Sequence, residues 1–219
     1  MTGTEFQTSK LGTKAYWDSI YEQDTVNFNE IGEIGEIWFG EESVAKMVDW
    51  VDLNIDKEAL ILDLGCGNGH LLLELHDLGY TKLTGVDYSL PSIVLCKDIA
   101  KKAGKSEIKY QVLDVINECN QNQQFYDLIL DKGTFDAISL ASFQDYKVSE
   151  VPSVIYVKNV ATMIKQSGFL LITSCNWTES ELLDKFSQYF EFHQRLPYPT
   201  FKFGGSSGST ITSLILKLK

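Results

Sequence analysis

A chain of 219 residues, 44% apolar and 12% aromatic, can bury one sizeable core and lies far from the composition of disordered proteins. Its formal net charge of −11 and its single arginine, Arg195, argue against a nucleic-acid partner, because phosphate binding rests on Lys/Arg neutralisation. No apolar run approaches the ~18 residues of a membrane span, and the opening MTGTEFQTSKLGTK lacks the apolar core of a secretory signal, so a soluble cytoplasmic monomer is expected.

Taken in chain order, residues 1–13 read as a mobile segment and residues 14–219 as a single domain, since no Pro/Gly/Ser linker divides them. KAYWDSIYEQ and GEESVAKMVDWV have helical periodicity, with Val44, Met47, Val48 and Val51 on one face. NEIGEIGEIWFG between them reads as an ordered, aromatic loop.

From Ala59 short apolar runs alternate with helical stretches. ALILDL, TKLTGVD, IKYQVLD, DLILD and FLLITS are strand candidates, linked mostly by parallel crossovers. Ser89 with Pro91 opens a helix that Gly104 closes, and Thr178 with Glu181 has capping-box spacing. FEFHQRL and TITSLILKLK flank the turn-rich FGGSSGS, so the last pair should be antiparallel. The fold class expected is α/β: a Rossmann-like open sheet of seven strands, mostly parallel with the last strand antiparallel, and helices on both faces. Polar NECNQNQQ reads as a surface loop.

Asp63-Leu-Gly65-Cys66-Gly67-Asn-Gly69 lies between a strand and a helix starting near His70, where α/β sheets bind ligands. His70 stands where a dinucleotide fold needs its third glycine, which counts against NAD. D-x-G-x-G-x-G instead resembles the first motif of class I S-adenosylmethionine-dependent methyltransferases, in which this loop wraps the methionine part of the cofactor; an ordinary glycine-rich turn is the bland alternative. Asp87, 24 residues after Asp63, ends the next strand with Tyr88 beyond it, and its carboxylate can accept from both ribose hydroxyls. A helix N-terminal acid is the alternative for Asp87. The same resemblance implies that Asp114 accepts from the adenine amino group and that the Val115 N–H serves a ring nitrogen.

Asp131 ends the fourth strand, and its side chain is expected to face the transferring methyl. Asp-Lys-Gly-Thr stands where amide and adenine methyltransferases usually carry Asn/Asp-Pro-Pro-Tyr, which leaves a more basic acceptor open. YWDSIYEQ, GEIGEIWFGEES, ILDLGCGNG, LDKGTFDAISL, FLLITSCNWT and FKFGGSSG together resemble the eukaryotic elongation factor 1-alpha lysine methyltransferase family, from about Lys14 to the end. SFQDYKVSEVPS and the Asn/Gln-rich loop depart from it. The resemblance implies S-adenosylmethionine as cofactor, a lysine of elongation factor 1-alpha as acceptor, and Asp131 aligning the incoming amine. A small-molecule N- or O-methyltransferase and a catalytically silent scaffold are the rival readings.

Trp38 and Phe39 are candidates for an aromatic lysine slot, with core packing as the alternative. Trp177 is divided between the acceptor channel and capping the next helix, whereas Trp17 reads as core. For Lys132 a surface charge following the strand is one reading. His70, His76 and His193 have no catalytic constellation around them. Cys66, Cys96, Cys119 and Cys175 lack metal spacing, so buried reduced thiols and no metal are expected.

Overall fold

The computed structural model describes residues 8–118, 125–199, 201–203, 206–208 and 210–219. A 3-10 turn, Lys10–Gly12, precedes α1 (Lys14–Ile31) and α2 (Gly40–Asn54). The alternating part runs β1 (Ile61–Leu64), α3 (His70–Asp77), β2 (Leu83–Asp87), α4 (Leu90–Lys102), β3 (Lys109–Val112), β4 (Tyr126–Lys132), α5 (Thr134–Ser139), α6 (Phe143–Tyr146), α7 (Pro152–Met163), β5 (Ile164–Ser174) and α8 (Glu179–Phe186). Strands β6 (Phe190–Leu196), β7 (Phe201–Phe203), β8 (Ser206–Gly208) and β9 (Thr212–Leu218) complete the chain.

The main sheet has seven strands in the order β3-β2-β1-β4-β5-β9-β6. Strands β1 to β5 pair in parallel, and β9 inserts antiparallel between β5 and β6, as the terminal pattern indicated. A two-stranded ribbon, β7 with β8, lies in the β6–β9 connection. Chain order reverses between β1 and β4, where Leu64 lies opposite Asp131, so the carboxyl ends of these strands flank a topological switch point.

Each face of the sheet buries its own apolar layer. Val44, Met47, Val48 and Val51 of α2 join Leu72 of α3 and Ile99 of α4 on one side, while Phe135 of α5, Tyr156 of α7 and Phe186 of α8 pack on the other. Helix α1 runs past the expected Gln23 to Ile31, because no breaker occurs before Gly32, which takes the left-handed cap at φ 81°. Ser89 caps α4, and Thr178 with Glu181 forms the capping box of α8.

Ser9 N–H donates to Leu140 O at 3.0 Å and Trp17 Nε1 to Leu11 O at 2.7 Å; residues 1–7 lie outside the described part. One expectation is corrected: Cys175 is exposed, whereas Cys66 and Cys96 are buried as expected. Cys119 and residues 119–124 of the polar loop lie outside the described residues.

Candidate active site

A cleft opens over the carboxyl ends of β1, β2 and β4, with about 1200 Å³ of empty space counted out to its mouth. Its floor is the glycine loop. Gly65 and Gly67 hold φ of +66° and +57°, values that side chains disfavour, and a Cβ on Gly65 would stand 2.1 Å from Thr134 Oγ1. Asn68 Nδ2 donates to Ile34 O at 3.1 Å and Glu36 O at 3.2 Å, tying this floor to the 32–39 loop above it.

Asp87 lines the cleft, 5% exposed, and accepts from Ser89 N–H at 2.9 Å and Gly67 N–H at 3.2 Å. Burial raises its pKa to about 6 against those hydrogen bonds. Asp63 lies beneath the loop, 3% exposed, and burial lifts it to about 7 despite the lowering effect of Lys132. Tyr88, Asp114 and Val115 line the far end. Asp114 lies two residues beyond β3, held by Ile116 N–H at 2.9 Å and Asn117 Nδ2 at 2.9 Å through its two carboxylate oxygens.

The acceptor side differs from expectation. Asp131 is fully buried and does not line the cleft; its carboxylate accepts from Thr134 N–H at 2.8 Å, from Phe135 N–H at 3.0 Å and from the Tyr156 hydroxyl. Strand alternation turns it toward Tyr156 of α7, and burial raises its pKa to about 7. Asp136, in the first turn of α5, lines the cleft instead, held by Ser174 Oγ at 2.5 Å and Cys175 N–H at 2.8 Å. Desolvation raises its pKa as well.

Trp38 and Phe39 both line the cleft. Phe39 is a non-glycine residue at φ 66° whose ring lies over Gly133, where a Cβ would come 3.0 Å from Phe39 Cζ. Trp17 lines the cleft too rather than the core alone, edge-to-face with Trp38 at 5.2 Å. Trp177 does not: it is buried against Phe135 at 5.5 Å, while Cys175 and Asn176 of the same segment reach the cleft wall. Lys132 is not a surface charge, since it lines the cleft and donates to Trp38 O at 3.2 Å.

The donor set selects among ligands. Among the described residues the cleft walls carry Glu36, Asp87, Asp114 and Asp136 against one cation, Lys132, and no arginine, which suits a cationic nucleoside and disfavours a pyrophosphate. A glycine loop packed tightly against Thr134 at the cleft floor, beside the buried Asp87 carboxylate, fits S-adenosylmethionine. Residues 55–210 match the family described as Methyltransferase domain. The chain belongs to that methyltransferase family.

Relatives extend the match along almost the whole methyltransferase. EEF1A lysine methyltransferase 2 of Homo sapiens is 44% identical over 213 residues, 97% of this chain and 88% of that protein. Protein-lysine N-methyltransferase EFM4 of Saccharomyces cerevisiae is 39% identical, covering 98% of this chain and 97% of its own. Magnesium protoporphyrin IX methyltransferase from Synechocystis, solved with bound SAM, shares the fold with a TM-score of 0.62 at 14% identity, covering 91% of this chain and 97% of that one. The cofactor is S-adenosylmethionine.

Sequence reasoning missed Tyr21 and Asn68 in the methyltransferase cleft, as well as Asp136. Tyr21 is buried with its hydroxyl near Gly67, where a Cβ would come within 3.0 Å of it, and burial beside Asp87 raises its pKa. No local pattern marks Tyr21. Asp136 did carry a signal, as an acid in the first turn of a helix opened by Gly133 at a strand end.

Proposed function

We propose that this methyltransferase transfers a methyl group to a lysine side chain of translation elongation factor 1-alpha, as a monomer in the cytoplasm. The observation that carries the reading is that Trp17, Trp38 and Phe39 line the same cleft as the buried carboxylate of Asp136, aromatic faces and negative charge together suiting one long cationic side chain. The names of the relatives support the substrate: those proteins are elongation factor 1-alpha lysine methyltransferases in human, zebrafish and mouse.

Bound in the cleft, S-adenosylmethionine supplies an electrophilic methyl on a sulfonium. Asp87 would hold the ribose, Asp114 and Val115 the adenine, and the glycine loop with Asp63 the amino-acid portion. Asp136 and the aromatic walls serve the acceptor. A lysine ammonium has no lone pair and an ordinary pKa of ~10.4, so it must lose a proton before it attacks. Entry between Trp38 and Phe39 strips its water and lowers that pKa, whereas the Asp136 carboxylate raises it. Asp136 therefore aligns the amine through an N–H hydrogen bond, in the role expected of Asp131, and water carries the proton away.

The net charge of −11 favours encounter with a basic translation factor. The proposal is tested by incubating the enzyme and isotopically labelled S-adenosylmethionine with a cell lysate. Label on elongation factor 1-alpha is expected; label on a metabolite or on another protein alone would discard the substrate and keep the methyltransferase.

A further inference from the structure

Two ionisable groups of opposite sign lie on the α2–α3 side of the sheet, Asp63 buried and Lys132 half-buried, and each draws the other electrostatically without closing an ion pair among the described residues. Asp63 lies opposite Leu130 in the parallel register, and Leu130 belongs to the apolar layer on the α2–α3 side. Lys132 is two residues further along β4, so strand alternation puts it on that same side, while Asp131 between them points the other way. The Asp63 carboxylate accepts no hydrogen bond among the described residues. The Lys132 ammonium makes one, to the neutral Trp38 carbonyl. The two do not come within the 4.0 Å of an ion pair.

Burial lowers the pKa of Lys132 against the opposing pull of the Asp63 and Asp131 carboxylates, so an anion brought directly to its ammonium would favour the charged form. Asp63 lies beneath the start of the glycine loop, outside the cleft lining, whereas Lys132 lines the cleft and is its one cation among the described residues. A ligand carboxylate presents the counter-charge that the Trp38 carbonyl does not supply. We propose that Lys132 binds the α-carboxylate of the cofactor's amino-acid tail and so makes the site selective for the carboxylate-bearing tail over the bare nucleoside. The proposal rests on S-adenosylmethionine being the cofactor.

Calorimetry with three ligands separates this role from a structural latch on Trp38. S-Adenosylhomocysteine carries the whole tail, decarboxylated S-adenosylmethionine carries the amine without the carboxylate, and 5′-methylthioadenosine carries neither. In the Lys132→Met variant the affinity for S-adenosylhomocysteine should fall about tenfold or more, as for a lost charge-assisted hydrogen bond, with the other two changed less than about threefold. Lys132→Gln keeps a donor for Trp38 O and removes the charge; it should show the same selective loss, and it carries the test if the methionine variant does not fold. A parallel loss for all three ligands in both variants would assign Lys132 to holding the 32–39 loop. Unchanged affinity for S-adenosylhomocysteine would also overturn the proposal. Wild-type protein that binds none of the three would instead refute the cofactor assignment itself.

Discussion

Gly65→Ala tests the close approach on which the cleft floor depends. At φ +66° an alanine pays a backbone cost of about 1 kcal/mol relative to glycine. Its Cβ would also stand 2.1 Å from Thr134 Oγ1 and 3.0 Å from Thr134 Cβ and Cγ2, so Thr134 must swing away. That movement breaks the hydrogen bond from Thr134 Oγ1 to Leu64 O, 2.6 Å long, which contributes about 0.5–1.5 kcal/mol. The sum is a destabilisation of about 2 kcal/mol or slightly more, read as a lowered urea midpoint at unchanged slope. Thr134→Ala removes the hydroxyl that collides, so the double variant should be less destabilised than the two singles together by roughly 1 kcal/mol. Cofactor affinity should fall in Gly65→Ala as well, since the displaced loop lines the cleft. A single variant within about 0.5 kcal/mol of wild type, or strict additivity with Thr134→Ala, would refute the reasoning.

Asp87→Ala should weaken S-adenosylmethionine binding by roughly 1–3 kcal/mol in calorimetry on protein shown to be folded, and an unchanged affinity would remove Asp87 from the site. Asp131→Asn and Asp136→Asn should behave oppositely. The first loosens the cap on Thr134, Phe135 and Tyr156 and lowers stability by about 1–2 kcal/mol with turnover kept, while the second keeps cofactor affinity and loses most turnover; reversed profiles would return the acceptor role to Asp131. Asp63 at about 7, Asp87 at about 6 and Asp131 at about 7 hold protons in the folded chain that the unfolded chain has already released, so the stability of the ligand-free protein should decline from about pH 4 to pH 7. Cofactor affinity should rise over the same range as Asp63 and Asp87 ionise, with proton release seen on changing the buffer; a flat affinity profile would contradict those assignments. Rising salt should slow methylation of a basic protein substrate by screening the encounter, and a salt-independent rate would remove the electrostatic contribution.

What could be read from the sequence was local or periodic. The glycine loop, the Asp87 spacing, the Ser89 and Thr178 caps and the buried face of α2 each follow from residues close in the chain. The antiparallel β9 was legible from a turn-rich segment between two apolar runs, though the β7–β8 ribbon inside that connection was not. Side-chain direction at the acceptor wall was hidden, because it depends on partners far along the chain. Tyr156, 25 residues beyond Asp131, claims that carboxylate for the α7 side. The same packing draws Trp177 under Phe135 and leaves Cys175 and Asn176 at the wall. Trp17 and Tyr21 reach the cleft because α1 packs against α4, a tertiary placement that helical periodicity does not encode.

The most direct test of methyl transfer to an elongation-factor lysine uses purified elongation factor 1-alpha, enzyme and S-adenosylmethionine, with the intact mass of the factor followed over time and the modified peptide then sequenced. The account predicts mass gains in whole methyl increments confined to lysine, present with wild-type enzyme and abolished in Asp136→Asn that still binds cofactor. An unchanged mass with enzyme shown to bind S-adenosylmethionine, or a methyl found on a residue other than lysine, would contradict it.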